Sequence, residues 1–263
     1  MPTLSDADTA YYAGPTFDVL LFTMPKVAAA NRNAMRRRER ALSVLCPVMA
    51  RLIDAAGPCT LEPRLERSPF ESLARAIAHQ QLNGTAAERI LGRFTALYSP
   101  AEFPPPAALA ATADDTLRAV GFSFAKIRAL RDLAEKVITG VVPNTAELHT
   151  LENDAIVERI TQVRGIGRWT VEMMLMFQLG RPDVLPVDDF GVCNGFRLAY
   201  GLKGMPTPRA LAEFGARWAP HRSLAAWYLW RAVDLSRAST LPRAGRAPRV
   251  ATKKPTIKKR RRT

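Results

Sequence analysis

Cysteine is scarce in this chain: Cys46, Cys59 and Cys193 are the only three in 263 residues. Three widely spaced thiols cannot make the paired framework of a small secreted domain, nor supply the four thiolates of an iron–sulfur cluster. Histidine is equally rare, and no spacing among His79, His149 and His221 suggests a metal site. No apolar run is long enough to span a bilayer. The opening MPTLSDADTA lacks the basic-then-apolar pattern of a secretory signal. An intracellular protein is expected, in the cytoplasm or nucleoid of a bacterium or the nucleus of a eukaryote.

Acidic residues are absent from the last 21 positions, which hold ten Lys and Arg. The net charge is +14 and the isoelectric point about 10.4, a balance that suits a nucleic-acid partner. The charge is unevenly spread. The tail from Arg243 carries +10 and residues 1–40 carry +2, which leaves only +2 for residues 41–242. The tail has no apolar periodicity and is expected to be disordered from residue 239 to 263. Residues 1–40 read as an N-terminal arm, ordered in part at most. They include FDVLLF at 17–22 and the basic run Arg36-Arg37-Arg38.

No sustained period-two alternation supports a sheet. Helical spacing recurs instead, so an all-α core over residues 41–238 is expected. Helices are read at 41–56, within 70–98 with a break near Asn83-Gly84, and at 107–120, 124–139 and 145–151. Thr207-Pro208 and Ser223 serve as N-cap signals for helices at 207–218 and 223–237.

The densest information lies in residues 163–192. Ile156, Val157, Ile160 and Val163 line one helical face, and Arg164-Gly165-Ile166-Gly167 then makes a tight turn into an apolar helix at 169–179. This hairpin unit, residues 154–179, presents backbone amides at a helix N-terminus, where an anion such as a DNA phosphate is favoured. Arg164, Gly165, Ile166, Gly167 and Thr170 are its candidate DNA contacts. Such contacts position a protein on DNA without reading sequence. Downstream, LPVDDF at residues 185–190 places Asp188 and Asp189 before an apolar helix at 190–202, where one Asp can act as cap. The positive end of a helix favours a charged carboxylate there.

In this segment the chain resembles the helix-hairpin-helix DNA glycosylases, and within them the 3-methyladenine glycosylase II branch. The likeness rests on GIGRWT at 165–170 followed by DVLPVDDF at 183–190. It extends to Pro69-Phe70-Glu71, RAIAHQQLN at 75–83, GFSFAKIRALRDLA at 121–134 and RWAPHRSLAAWYLW at 217–230. It implies a two-lobed all-α fold with a cleft between the lobes. The implied function is excision of alkylated purines of the 3-methyladenine type from double-stranded DNA, by a monomer. The implied catalytic residue is Asp189, with Asp188 as the alternative. Trp169 and Trp230 are assigned to the base pocket, and a relative's pocket tyrosine falls at Met173. Gln81 aligns with the side chain that fills the gap left by a flipped base, with Leu82 as the alternative.

Lyase-type relatives carry a lysine after GxGR, and here that position is Trp169, so a monofunctional enzyme without Schiff-base chemistry is implied. No metal is expected from side chains. A monovalent cation on hairpin backbone carbonyls is the one cofactor the resemblance allows. Two other readings stay open: a non-catalytic DNA-binding helix-hairpin-helix protein, and a glycosylase for oxidised or deaminated bases.

Overall fold

The computed structural model describes residues 29–242 and Ala251; the segment 17–22 and the basic tail lie outside the described residues. Among the described residues every regular element is helical, and the chain divides into two compact units. The first takes in Glu62–Gly180. The second takes in the described residues of Lys26–Leu61 and Arg181–Thr263.

The second unit begins with α1 (Ala29–Leu45), which runs across the expected boundary at residue 40, and α2 (Pro47–Ala56). The single helix expected over 41–56 is broken because Pro47 lacks an amide and Cys46 is forced into extended backbone at φ −151°. The unit closes with α11 (Phe190–Ala199), α12 (Pro208–Gly215), a 3₁₀ turn (Ala216–Trp218) and α13 (Arg222–Arg237). Trp218, Tyr228 and Phe196 are among its fully buried side chains. Helices α11 and α13 approach so closely that a Cβ on Gly195 would run into the Leu229 carbonyl. A buried carboxylate ties α1 to α13: Glu39 Oε1 accepts the Tyr228 hydroxyl at 2.8 Å and the Cys59 amide at 2.7 Å. Burial pushes the Cys59 thiol up to about 12, so it stays protonated and unreactive.

The first unit holds α3 (Pro69–His79), α4 (Gly84–Ala96), α5 (Pro106–Ala111), α6 (Asp114–Ala119), α7 (Phe124–Ile138), α8 (Thr145–Thr150), α9 (Asn153–Ile160) and α10 (Arg168–Phe177). Side-chain caps fix several starts. Ser68 accepts the Glu71 amide at 3.1 Å, Asn83 the Ala86 amide at 2.8 Å, and Asn144 with Glu147 forms a capping box. The helix expected over 107–120 is two short helices. Arg131 of α7 explains the interruption by binding the Ala110 carbonyl at 2.7 Å and the Asp114 carboxylate at 2.6 Å. Phe94 centres the core, with Tyr98, Phe103 and Phe122 packed edge-on at centroid distances of 5.4, 5.8 and 5.3 Å. No described helix is long and apolar enough to cross a membrane.

Candidate phosphate clamp and catalytic carboxylate

The hairpin between α9 and α10 is built around one glycine and one buried apolar residue. Gly165 sits at φ +78°, a conformation that favours glycine. Gly167, the N-cap of α10, is at φ −97°, so conformation alone does not require glycine there. Open space surrounds the point where its Cβ would stand. The bare N-cap therefore leaves room for a ligand to approach the first-turn amides of α10, which by position have no intrahelical acceptor.

The remaining sequence-derived contacts divide by role. The Ile166 side chain is buried and its amide donates to the Val163 carbonyl at 3.0 Å, so it anchors the turn. The Thr170 amide donates to the Gly167 carbonyl at 3.0 Å, which tightens the start of α10. Arg164 is exposed, but its amide is committed to Asp132 Oδ2 at 2.6 Å. Burial works against the Asp132 charge. The Arg164 amide and the Lys136 ammonium, 2.6 Å from Oδ1, outweigh it and hold the carboxyl below the usual range. Two of the four hairpin amides read as clamp donors are thus used internally. On α10, Trp169 is half-buried and Met173, one turn on, is buried at 7% exposure. Gln81 is exposed at φ +58°, and Leu82 beside it is half-buried. His79, read as an ordinary packed histidine, pairs with Glu88 at 3.1 Å.

The second unit carries the acidic pair. Asp189 is the N-cap of α11, and its Oδ1 accepts the Val192 amide at 2.6 Å. The same oxygen accepts the Trp230 indole N–H at 2.8 Å. Asp188 is exposed and Asp189 partly buried, so the local environment distinguishes the two neighbours. Gly191 makes the indole contact sterically possible, because a Cβ there would lie 2.7 Å from Trp230 Cδ1 and 3.1 Å from Asp189 Oδ1.

The segment leading to Asp189 is zipped to the start of α13, the helix that bears Trp230. Arg222 grips Asp183 at 2.7 and 2.8 Å. The Arg222 hydrogen bond is the main reason the Asp183 carboxyl is held below the usual range. Ser223 is not the helix cap, a position His221 occupies. Its hydroxyl instead donates to the Arg181 carbonyl at 2.6 Å and accepts the Val184 amide at 2.9 Å. Among the described residues no group of three or more His, Cys, Asp or Glu could hold a metal ion.

A carboxylate fixed by an indole and a helix start, in a chain that also carries a bare-capped glycine hairpin, coincides with a known family. Residues 74–221 match the model of the HhH-GPD superfamily base excision DNA repair proteins. The chain belongs to the HhH-GPD superfamily. Among HhH-GPD relatives, DNA-3-methyladenine glycosylase 1 of Schizosaccharomyces pombe is 39% identical over 205 residues, covering 78% of this chain and 90% of that protein. The solved structure of that organism's 3-methyladenine DNA glycosylase in complex with abasic DNA aligns at TM-score 0.66, over 74% of this chain and 95% of the other. A DNA-3-methyladenine glycosidase of Bacillus halodurans aligns at TM-score 0.70 with 33% identity, over 76% and 91% of the two chains. The matched HhH-GPD region spans both the hairpin and Asp189.

Asp132, Gln80, Gly191 and the Asp183–Arg222 pair were not singled out from sequence. For Gly191 a signal existed: a glycine inside a helix costs about 1 kcal/mol relative to Ala and asks for a packing reason.

Proposed function

We propose that this protein is a monofunctional DNA glycosylase that hydrolyses the N-glycosidic bond of alkylated purines in duplex DNA, with Asp189 as the catalytic carboxylate. The observation that carries this reading is the Asp189–Trp230 hydrogen bond at the start of α11. A plain cap needs only the Val192 amide, and the added indole donor orients a carboxylate for chemistry.

The reaction needs little more. When the C1′–N bond of an N-alkylated purine breaks, its electron pair returns to a base that already carries positive charge. The base leaves neutral, without a general acid. Positive charge develops on the sugar, and the Asp189 carboxylate stabilises it. Water then forms the new C1′–O bond and releases a proton to solvent or to the carboxylate. Trp169, Trp230 and Met173 form the base pocket. An electron-rich indole favours a cationic base by about 0.5–2 kcal/mol. Trp169 stands where a lyase would have lysine, so no Schiff base forms. The amides opening α10 grip a backbone phosphate, and Gln81 or Leu82 enters the gap in the stack. No step requires an organic cofactor or a side-chain-bound metal. Should a monovalent cation bind the hairpin, it would share carbonyls that already accept hydrogen bonds, those of Val163 and Gly165. The enzyme acts as a monomer, in the compartment that holds the genome.

The test is release of free base from duplex DNA containing N7-methylguanine or 3-methyladenine. Wild type and Asp188→Asn should release base, and Asp189→Asn should be slower by about 10²–10³-fold. No release by wild type would leave a non-catalytic DNA-binding protein, or a glycosylase for oxidised or deaminated bases, which a lesion panel separates.

A further inference from the structure

We infer that α7 is a bracket holding the turn at residues 80–82 in register with the phosphate clamp, and that Gln80 is the positioning residue that closes it. The inference rests on the glycosylase reading above and adds a role for residues outside the pocket and the catalytic pair.

Three hydrogen bonds make the bracket. Lys126 of α7 donates its ammonium to the Ala78 carbonyl at 2.7 Å, at the C-terminal end of α3, where a cation is favoured. Asp132, further along α7, accepts the Arg164 amide at 2.6 Å. Gln80 Nε2 donates to the Gly165 carbonyl at 2.8 Å, joining two points 85 residues apart. The links form a closed circuit from the end of α3 through α7 to the hairpin and back to residue 80. Removing any one leaves the two DNA-contacting turns joined only through longer packing paths.

The residue after Gln80 shows what the circuit constrains. Gln81 lies at φ +58°, in the left-handed region that non-glycine residues rarely occupy. Such a conformation persists where its surroundings over-determine it. Here His79 is paired with Glu88, Gln80 is tied to the hairpin, and the Leu82 amide donates to the His79 carbonyl at 3.2 Å. The strained residue is exposed while both its neighbours are held. Filling the gap left by one flipped nucleotide, while holding a backbone phosphate nearby, requires the two turns to keep their separation to about an ångström. Gln80 reaches a hairpin carbonyl and acts through it, so its role is positional.

The experiment uses Gln80→Met in the full chain, which keeps the side-chain length and removes the donor. Amide hydrogen exchange, the melting temperature and single-turnover base release are measured for Gln80→Met, Gln81→Ala and the double variant. The expected result is faster exchange in peptides covering 79–83 and 161–169, an unchanged melting temperature, and about three- to tenfold slower release, as for loss of one hydrogen bond. Coupled sites are non-additive, so the double variant should be no slower than Gln81→Ala alone. Unchanged exchange in both peptides, or losses that simply multiply, overturns the bracket. If wild type releases no base, the glycosylase reading fails while the exchange measurement still decides whether Gln80 ties the two turns.

Discussion

Trp230 and Asp189, 41 residues apart, are joined through a single carboxylate oxygen that also caps α11. The relationship gives Trp230 a task beyond stacking on a base: its N–H orients the carboxylate while its ring can wall the pocket. Trp227 and Tyr228, on the same helix, are buried in packing and in the Glu39 network, so Trp230 alone of the three meets the acid. In Trp230→Phe the ring remains and the donor is lost. Loss of a hydrogen bond to a charged group is worth about 1.5–3 kcal/mol, so base release should slow by about 10- to 100-fold. Single-turnover rates at saturating enzyme measure this, and a rate equal to wild type would confine Trp230 to packing.

Gly191 and Gly195 lie on one helix but protect different things, and alanine should separate them. At Gly191 the added methyl meets the Trp230 ring and Asp189, so Gly191→Ala should fold normally and lose most of its base release. At Gly195 it meets the backbone of Leu229, which cannot swing aside. Gly195→Ala should therefore lower stability by about 1–3 kcal/mol, in the range of overpacked cores. Denaturant midpoints and base-release assays on both variants check the contrast.

The legible part of this fold was whatever is local in the chain. Apolar spacing at Ile156, Val157 and Ile160 and the glycines of 165–167 announced the hairpin, and the Asp before an apolar run announced the cap. The all-helical class followed from the same periodicity. Interruptions produced by tertiary contacts were not legible. Arg131 satisfies carbonyls between α5 and α6 from another helix, and Ser223 resembles a cap because its bonds to Arg181 and Val184 cannot be seen from spacing. The same holds for the site. Sequence selected Asp189 and Trp230 separately, while their bond and the Gly191 clearance are properties of the α11–α13 packing. Hairpin amides counted as phosphate donors from sequence proved to be partly spent on Asp132 and Val163.

Acid should weaken the second unit through the Asp183–Arg222 pair. The Arg222 hydrogen bond depresses the folded-state pKa of Asp183, so its contribution to stability is complete above the ordinary carboxylate range near 4. That contribution is lost as pH falls through the lower folded value. In Asp183→Asn it is absent at every pH. The stability difference between wild type and the variant should be constant from pH 8 to 5 and shrink below pH 4. Urea unfolding across that range tests it, and a difference that grows on acidification would contradict the assignment.

The C-terminal charge makes a prediction that sequence alone can carry. Residues 252–263 contain Lys253, Lys254, Lys258, Lys259, Arg260, Arg261 and Arg262, and no acid. The Ala251 carbonyl just before them accepts the Thr207 amide at 3.0 Å, so a chain ending at Ala251 keeps that bond. Each phosphate neutralised on duplex DNA contributes about 0.9 to the slope of log affinity against log salt. If the seven cations meet phosphates, truncation at Ala251 should flatten that slope by several units for undamaged duplex. It should also weaken binding most at low salt. Single-turnover release at saturating enzyme should be unchanged, because Asp189 and the hairpin are untouched. An unchanged salt slope would mean that these residues only solubilise the chain. A slower saturated rate would mean that they reach the reacting complex.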